Sequence, residues 1–348
     1  MNDVLIAGGG PSGLATALYA ARAGLRAVVV EPRDGVIDKA CGEGLMPAAV
    51  RRLDELGVHP ETSFVFTGIR YHMNGSEASG RFSSGEGRGV RRTTLHESLR
   101  QAVHEAGIDI VEGRITEIEQ TSDHVVAGSH IARWLVGADG LHSTVRRQLD
   151  VDAPSRRPKR MGLRRHFRTA PWSDMVEVFW APHAEAYVTP VAPDTIGVAF
   201  LFYGDPLPPG AGAEAKFDSL METFPELKER ITGEPVSRVL GAGPFERRTT
   251  HQHEGRVLLV GDAAGYLDPI TGEGIRMGMA TAELAIDAIV KDDPASYDRA
   301  WQRETRDYWR LTNLLLWTRD AAWRRRLLLP ALKYTPGLFS RVVSVLGG

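Results

Sequence analysis

Cysteine is nearly absent from this chain: Cys41 is the single one among 348 residues. One thiol cannot close an intrachain disulfide, and it excludes any zinc or iron–sulfur site assembled from several cysteines. A reducing, cytoplasmic setting is the expectation. Long hydrophobic runs are missing as well, since no stretch reaches the ~18 uncharged apolar residues of a spanning helix. The opening MNDVLIAGGG also lacks the basic start of a secretory signal. Nor is there an excess of one charge. The formal balance is -2, so no global field draws nucleic acid, and no nucleic-acid partner is expected. His166, His183, His251 and His253 stand without ligand-like neighbours in sequence, so no metal is expected. Internal repeats and low-complexity tracts are lacking too.

What is present begins with a strand, helix, strand unit. Val4–Ala7 is a short apolar run ending in glycines, Pro11–Ala23 is alanine-rich and closed by Gly24, and Ala27–Val30 is a second buried strand. About thirty residues of this kind form the minimal right-handed crossover of a parallel sheet. Helices are predicted over Pro47–Leu56 and Thr93–Ala106, and a small antiparallel excursion over 64–90. The texture changes between about Met161 and Gly243, where Val176–Trp180, Ala186–Val191 and Thr195–Tyr203 read as antiparallel strands. A proline-rich loop, Asp205–Gly212, and a covering helix, Ala213–Glu222, follow. Val257–Val260 and a helix over Gly272–Val290 then return to the first unit. The fold class expected is α/β: a discontinuous Rossmann-type dinucleotide domain (1–155 and 245–292), an antiparallel-sheet substrate domain (156–244) and a helical C-terminus (293–348).

Gly8-Gly9-Gly10-Pro11-Ser12-Gly13 satisfies G-x-G-x-x-G straight after a strand and at the opening of a helix. Gly8 permits the tight turn, Gly10 lets a pyrophosphate approach the backbone, and Gly13 lets helix and strand pack closely. Pro11 and Ser12 open the helix whose unpaired N–H groups and dipole favour phosphate. Glu31 ends the next strand, where a carboxylate binds ribose hydroxyls and repels a 2′-phosphate; Pro32 and Arg33 follow it at the same edge. That acid points to FAD or NAD rather than NADP. Gly210-Ala211-Gly212-Ala213-Glu214-Ala215 matches G-x-G-x-x-A in letters but follows a proline-rich loop, so it cannot build a second pyrophosphate site.

Two later stretches place acids and glycines at strand ends. One is Gly137-Ala138-Asp139-Gly140; the other is Gly261-Asp262-Ala263-Ala264-Gly265, followed by Asp268-Pro269 and Gly272-Glu273-Gly274-Ile275. Asp262 is placed to accept hydrogen bonds from ribityl hydroxyls, and the glycine-rich helix start offers N–H groups to the flavin N1/O2 edge. In this order the three stretches resemble the glutathione-reductase-2 flavoproteins, that is, para-hydroxybenzoate-hydroxylase-like monooxygenases with their halogenase and geranylgeranyl-reductase relatives. The resemblance covers about residues 1–290. Arg92 and Leu95 are similar to the Arg and Leu opening that family's FAD-contacting helix. Lys39-Ala40-Cys41-Gly42-Glu43-Gly44 and Asp268–Gly274 look most like geranylgeranyl reductases, which implies that Cys41–Gly44 lie near the isoalloxazine. Tyr187-Val188-Thr189-Pro190 departs from the reductases' Y-x-W-x-F-P by lacking the tryptophan, and the halogenases' W-x-W-x-I-P is absent.

The resemblance implies bound FAD, NADH or NADPH as reductant, and oxygen transfer through a flavin C4a-hydroperoxide in a dry cavity. A hydrophobic aromatic, polyketide or terpenoid molecule is the expected substrate; the alternative is saturation of isoprenoid double bonds. Phe179, Tyr187, Phe200 and Phe202 are the candidate aromatic wall, with ordinary sheet core as the other reading. Pro269, Glu43 and Cys41 are the candidate catalytic residues. For Pro269 a plain turn role stays open, for Glu43 a salt-bridged structural role, and for Cys41 an inert core position. The basic and apolar C-terminal stretch, Leu314 to Val345, packs on the FAD domain, caps a tunnel or touches an anionic bilayer.

Overall fold

The computed structural model describes residues 1–204, 210–321 and 323–324. Most of the expected loop Asp205–Gly212 and the C-terminal stretch beyond Arg324 lie outside the described residues.

Asn2–Ala7 sits at the middle of an eight-stranded sheet, between Ala27–Glu31 and His130–Gly137. Asp109–Glu112 pairs parallel beyond the former and Val257–Leu259 parallel beyond the latter. Val4, Leu5 and Ile6 are fully buried. Such a run, apolar on both faces, is what a central strand buried on both sides requires. Pro11–Arg22 packs against both Arg92–Glu105 and Gly274–Val290, so the three helices form one layer on the sheet. Ala15, Ala17 and Ala20 on the first helix, and Ala282 and Ala285 on the last, let helices and sheet approach closely.

The second sheet has seven strands, in the order Leu240–Ala242, Arg160–Phe167, Thr195–Tyr203, Ala184–Ala192, Val176–Trp180, Gly68–Met73, Ser76–Arg81. The excursion read over 64–90 therefore divides. Its hairpin, 68–81, joins the second sheet through parallel pairing of Gly68–Met73 with Val176–Trp180. Its flanks, Phe64–Phe66 and Gly87–Gly89, pair with Gly44–Leu45 in a three-stranded sheet. An exposed edge at Val176–Trp180 would be a pairing liability, and the hairpin covers it. Local sequence carries no trace of that long-range pairing.

The helices Ala213–Met221 and Pro225–Arg230 cover one face of the second sheet. The other face looks toward the first sheet across a continuous cavity of about 590 Å³. Ala295–Arg319 is one long helix that packs on Gly274–Val290 and on the turn Pro269–Thr271.

Candidate functional site: a two-sided cavity

One half of the cavity is mainly backbone. Gly8 has φ +107, and a Cβ there would meet the Ala138 carbonyl at 2.7 Å; a Cβ on Gly13 would lie 1.9 Å from the Gly8 carbonyl oxygen. Both glycines are therefore packing requirements. Around Gly10 a Cβ would meet nothing within 4 Å, and Gly8, Gly10, Pro11 and Ser12 line the open groove. The helix start Pro11–Arg22 carries no side-chain cap, so its N–H groups face that groove unspent.

Glu31 lies 2% exposed at its strand end and accepts the Gly9 N–H at 2.8 Å and Arg33 Nε at 2.7 Å. Burial works against its charge, but the bonds from Arg33 and Gly9 outweigh it and hold the carboxyl below its ordinary range. Pro32 and Arg33 line the same end of the groove. His96, absent from the sequence reading, anchors the turn from below: Nε2 donates to the Gly9 carbonyl at 2.8 Å, while Nδ1 accepts the Ile37 N–H at 3.2 Å. Burial pushes its pKa down to about 4, so the ring is neutral.

Arg92 is 5% exposed, borders the groove, and its Nη1 is buried with no partner. Asp139 accepts the Thr144 and Val145 N–H groups through Oδ2, at 2.6 and 3.2 Å, leaving Oδ1 buried and unpaired. Asp262 also borders the groove, and burial raises its pKa against the pull of Lys39, Arg92 and Arg146. Arg146, another residue without a role in the sequence reading, donates to the carbonyls of Leu141 and Ala263, at 2.9 and 3.2 Å, and ties the two later fingerprints together. Orphaned polar atoms on both sides, a glycine-open approach and an anchored acid fit a dinucleotide with a diphosphate at its centre.

Pro269, Gly272, Gly274 and Ile275 stand on the cavity wall where its two halves meet. Glu273 does not. Its carboxylate turns away to Arg276, which also holds Glu304, so a side-chain contact to cofactor is replaced by helix-start pairing. Gly261 likewise packs inside, against Ser12 and Gly278.

The other half is apolar and set by strand register. Tyr71, Val178, Tyr187 and Ala199 are mutual partners across four strands, which puts all four on one face of the sheet. That face is the cavity wall, extended by Ile69, Val176, Thr189 and Leu201. Phe179, Ala186 and Phe200 form the next row and point the opposite way. Phe200 packs on Phe217 and Phe224 with centroids 4.7 and 5.6 Å apart, and Phe179 stacks on His72 at 4.4 Å. Phe202 shares that core under the covering helices. Of the four aromatic candidates Tyr187 and Phe200 border the cavity, but the Phe200 ring, like Phe179 and Phe202, packs into the core on the other face, because alternate residues of a strand face opposite sides. Phe245, Tyr266 and Met46 complete the wall from outside that sheet.

Charge near the apolar half is paired beside the chamber, on the sheet face that Tyr187 shares. Arg160 bridges Asp268 and Glu185, Arg319 from the long C-terminal helix also binds Glu185, and Tyr187 donates to Glu185 at 3.2 Å. Asp268 in turn caps the turn Pro269–Thr271 by accepting the Ile270 N–H at 3.0 Å. Cys41 faces the cavity with its thiol pushed up by burial, hence protonated. Gly42 is beside it. Glu43 borders the cavity with φ +60, accepting the Arg92 N–H at 2.8 Å and His166 Nε2 at 2.6 Å. His166 thus has a partner that its sequence neighbourhood hid. Among the described residues no group of three or more His, Cys, Asp or Glu could hold a metal, and no helix is long and apolar enough to cross a membrane.

Comparison with known proteins agrees with this geometry. The FAD binding domain family matches residues 1–289. A menaquinone reductase of Mycolicibacterium smegmatis is 28% identical over 86% of this chain and 79% of its own length. A digeranylgeranylglycerophospholipid reductase of Methanopyrus kandleri is 26% identical over 88% of this chain and 87% of its own. Among solved structures, a flavoprotein/dehydrogenase from Cytophaga hutchinsonii shares the fold at TM-score 0.86 and 20% identity, covering 99% of this chain and 92% of that one.

Proposed function

We propose, from the premise that the chain belongs to the FAD binding domain family and is an FAD-dependent oxidoreductase, that it oxygenates a hydrophobic aromatic, polyketide or terpenoid molecule with NADH or NADPH as reductant. The observation carrying this reading is the joining of an anchored dinucleotide groove to an apolar chamber in one cavity. FAD, when bound, supplies the electron transfer and the oxygen chemistry. The chain's own residues supply position. Gly10 and the helix start at Pro11 receive the diphosphate, Glu31 holds ribose hydroxyls, and the turn Pro269–Gly274 meets the ring. Tyr71, Val178, Tyr187 and Leu201 shape a chamber for an uncharged substrate and exclude water. Asp268 and Arg160 keep Pro269–Thr271 in place, and because Arg160 and Arg319 together balance Glu185 and Asp268, no unpaired charge from this cluster reaches the chamber.

A second reading has an observation of its own. Cys41 holds a protonated thiol at the cavity wall, within a motif that resembles geranylgeranyl reductases, and two relatives are named reductases of isoprenoid lipids or menaquinone. Saturation of a carbon–carbon double bond needs such a proton source. Reducing the purified protein with NADH or NADPH without oxygen, with lipophilic phenols or prenyl lipids present, separates the two. An oxygenated product formed only after oxygen is admitted supports the first reading; a saturated product formed without oxygen replaces it with the second.

A further inference from the structure

We propose that Ser237, His166 and Glu43 form a proton path from solvent to the cavity wall. This rests on the oxidoreductase reading above but not on which of its two forms holds, since oxygenation and double-bond saturation by NADH or NADPH each take up a proton from water in every turnover. A chamber that excludes water needs a route for that proton.

The route is laid out in side chains. Glu43 borders the cavity, and its N–H donates to Cys41 Sγ at 3.4 Å, so the path ends beside the thiol that faces the chamber. His166, 1% exposed on the strand Arg160–Phe167, reaches the Glu43 carboxylate through Nε2 at 2.6 Å. Its Nδ1 lies 3.0 Å from the Ser237 hydroxyl and 3.1 Å from Arg164 Nη1. A guanidinium only donates, so Nδ1 is an acceptor and the ring proton sits on Nε2, aimed at Glu43. Ser237 is partly exposed, on the connection between Pro225–Arg230 and Leu240–Ala242. The charged and titratable groups facing the pair are Arg164 from the same strand, Arg92 from its helix, and Asp38 and Cys41 from the connection before Gly44.

Holding Glu43 against His166 has a backbone cost. Glu43 has φ +60, which a residue with a side chain rarely adopts, and such strain collects where a side chain must be aimed. Gly197, the cross-strand partner of His166, makes the space: a Cβ there would stand 3.1 Å from Glu43 Oε2. In one passage the Nε2 proton goes to the Glu43 carboxylate and from there to the acceptor in the cavity. The Ser237 hydroxyl replaces it at Nδ1, and water replaces the hydroxyl proton. Each step breaks one N–H or O–H bond and forms another, and a half-turn of the ring restores the starting tautomer.

The test compares FAD-loaded wild type with Ser237→Ala and with His166→Gln, whose amide still donates to Glu43 but relays no proton. With nitrogen-labelled histidine, the His166 Nε2–H resonance, assigned by its loss in His166→Gln, should exchange with water in wild type and lose that exchange in Ser237→Ala. Reoxidation of the dithionite-reduced protein by oxygen, which takes up a proton, should slow about a hundredfold in His166→Gln, the low end of what a positioned proton donor contributes. It should also gain a solvent deuterium isotope effect, while melting temperature and FAD affinity stay at wild-type values. Wild-type exchange in Ser237→Ala overturns the path, and so does a His166→Gln protein that reoxidises at the wild-type rate or slows without an isotope effect. Protein that purifies without flavin overturns the cofactor reading; the exchange measurement needs no flavin and still decides whether the path exists.

Discussion

Along the dinucleotide half of the cavity the wall is largely main chain, fixed by glycines whose neighbours leave no room for a Cβ; along the substrate half it is side chains contributed by paired strands. The first kind of wall is written in a few short stretches, each contiguous: 8–13, 137–140 and 261–275. The second is written in register between strands as distant as Gly68–Met73 and Val176–Trp180. A turn that must hold one diphosphate tolerates little variation, whereas a wall of alternate strand residues can change its shape without disturbing the sheet.

The largest effect that could break this contrast is expected at Gly13. Gly13→Val drives a side chain into the Gly8 carbonyl, 1.9 Å from the Cβ position, and should give unfolded or insoluble protein by circular dichroism and yield. Gly10→Ala, with open space around it, should fold normally and lose FAD affinity alone. A soluble, FAD-loaded Gly13→Val variant would refute the packing role. Arg160→Met comes next. It leaves Asp268 buried without its cation while Glu185 keeps Arg319, and should cost about 3–5 kcal/mol in urea unfolding; an unchanged midpoint would mean that Asp268 finds another partner.

A matched pair sharpens the comparison within the second sheet. Phe200→Ala should destabilise the protein by about 3–5 kcal/mol, as large-to-small changes in a packed core do, and leave substrate affinity alone. Tyr187→Ala should do the reverse: a small stability loss, under about 2 kcal/mol, and a raised KM. If both variants behaved alike, the face assignment would be wrong.

The smallest effect is one of pH. His96 titrates near 4 when folded against 6.5 when free. Between those values the unfolded chain binds the extra proton, so stability falls as pH drops from about 6.5 to 4, by on the order of 3 kcal/mol from this group. His96→Gln should flatten that part of the stability profile, and an unchanged slope would relocate the effect to other groups.

How far sequence alone reaches follows the same division. Gly8 to Gly13, Glu31 and the later Gly-Asp turns were legible because strand, turn and helix are contiguous there. Their orphan partners, Arg92 Nη1 and Asp139 Oδ1, needed coordinates. For Phe179, Phe200 and Phe202 the sequence leaves aromatic wall and sheet core both open, and strand parity, already visible in the alternation of Val176, Val178 and of Tyr187, Thr189, puts their rings in the core. Glu273 misled because its partners, Arg276 and Glu304, are met only when the last two helices pack. His96, Arg146, Arg164 and His166 carried no local signal, since each bonds to residues brought close by the tertiary fold. The hairpin 68–81 is antiparallel in sequence pattern and in structure, but nothing in its residues points to the sheet it joins.

If the apolar chamber opens directly onto bound FAD, the flavin spectrum must respond to what enters the chamber. Titrating the oxidised, FAD-loaded protein with lipophilic phenols and prenyl quinones while recording the flavin absorbance spectrum tests it most directly. A saturable shift of the flavin bands, abolished in Tyr187→Ala but kept in a folded Phe202→Leu variant, is the predicted result. Saturable binding of the same compounds with no change in the flavin spectrum would place them elsewhere and contradict a shared cavity.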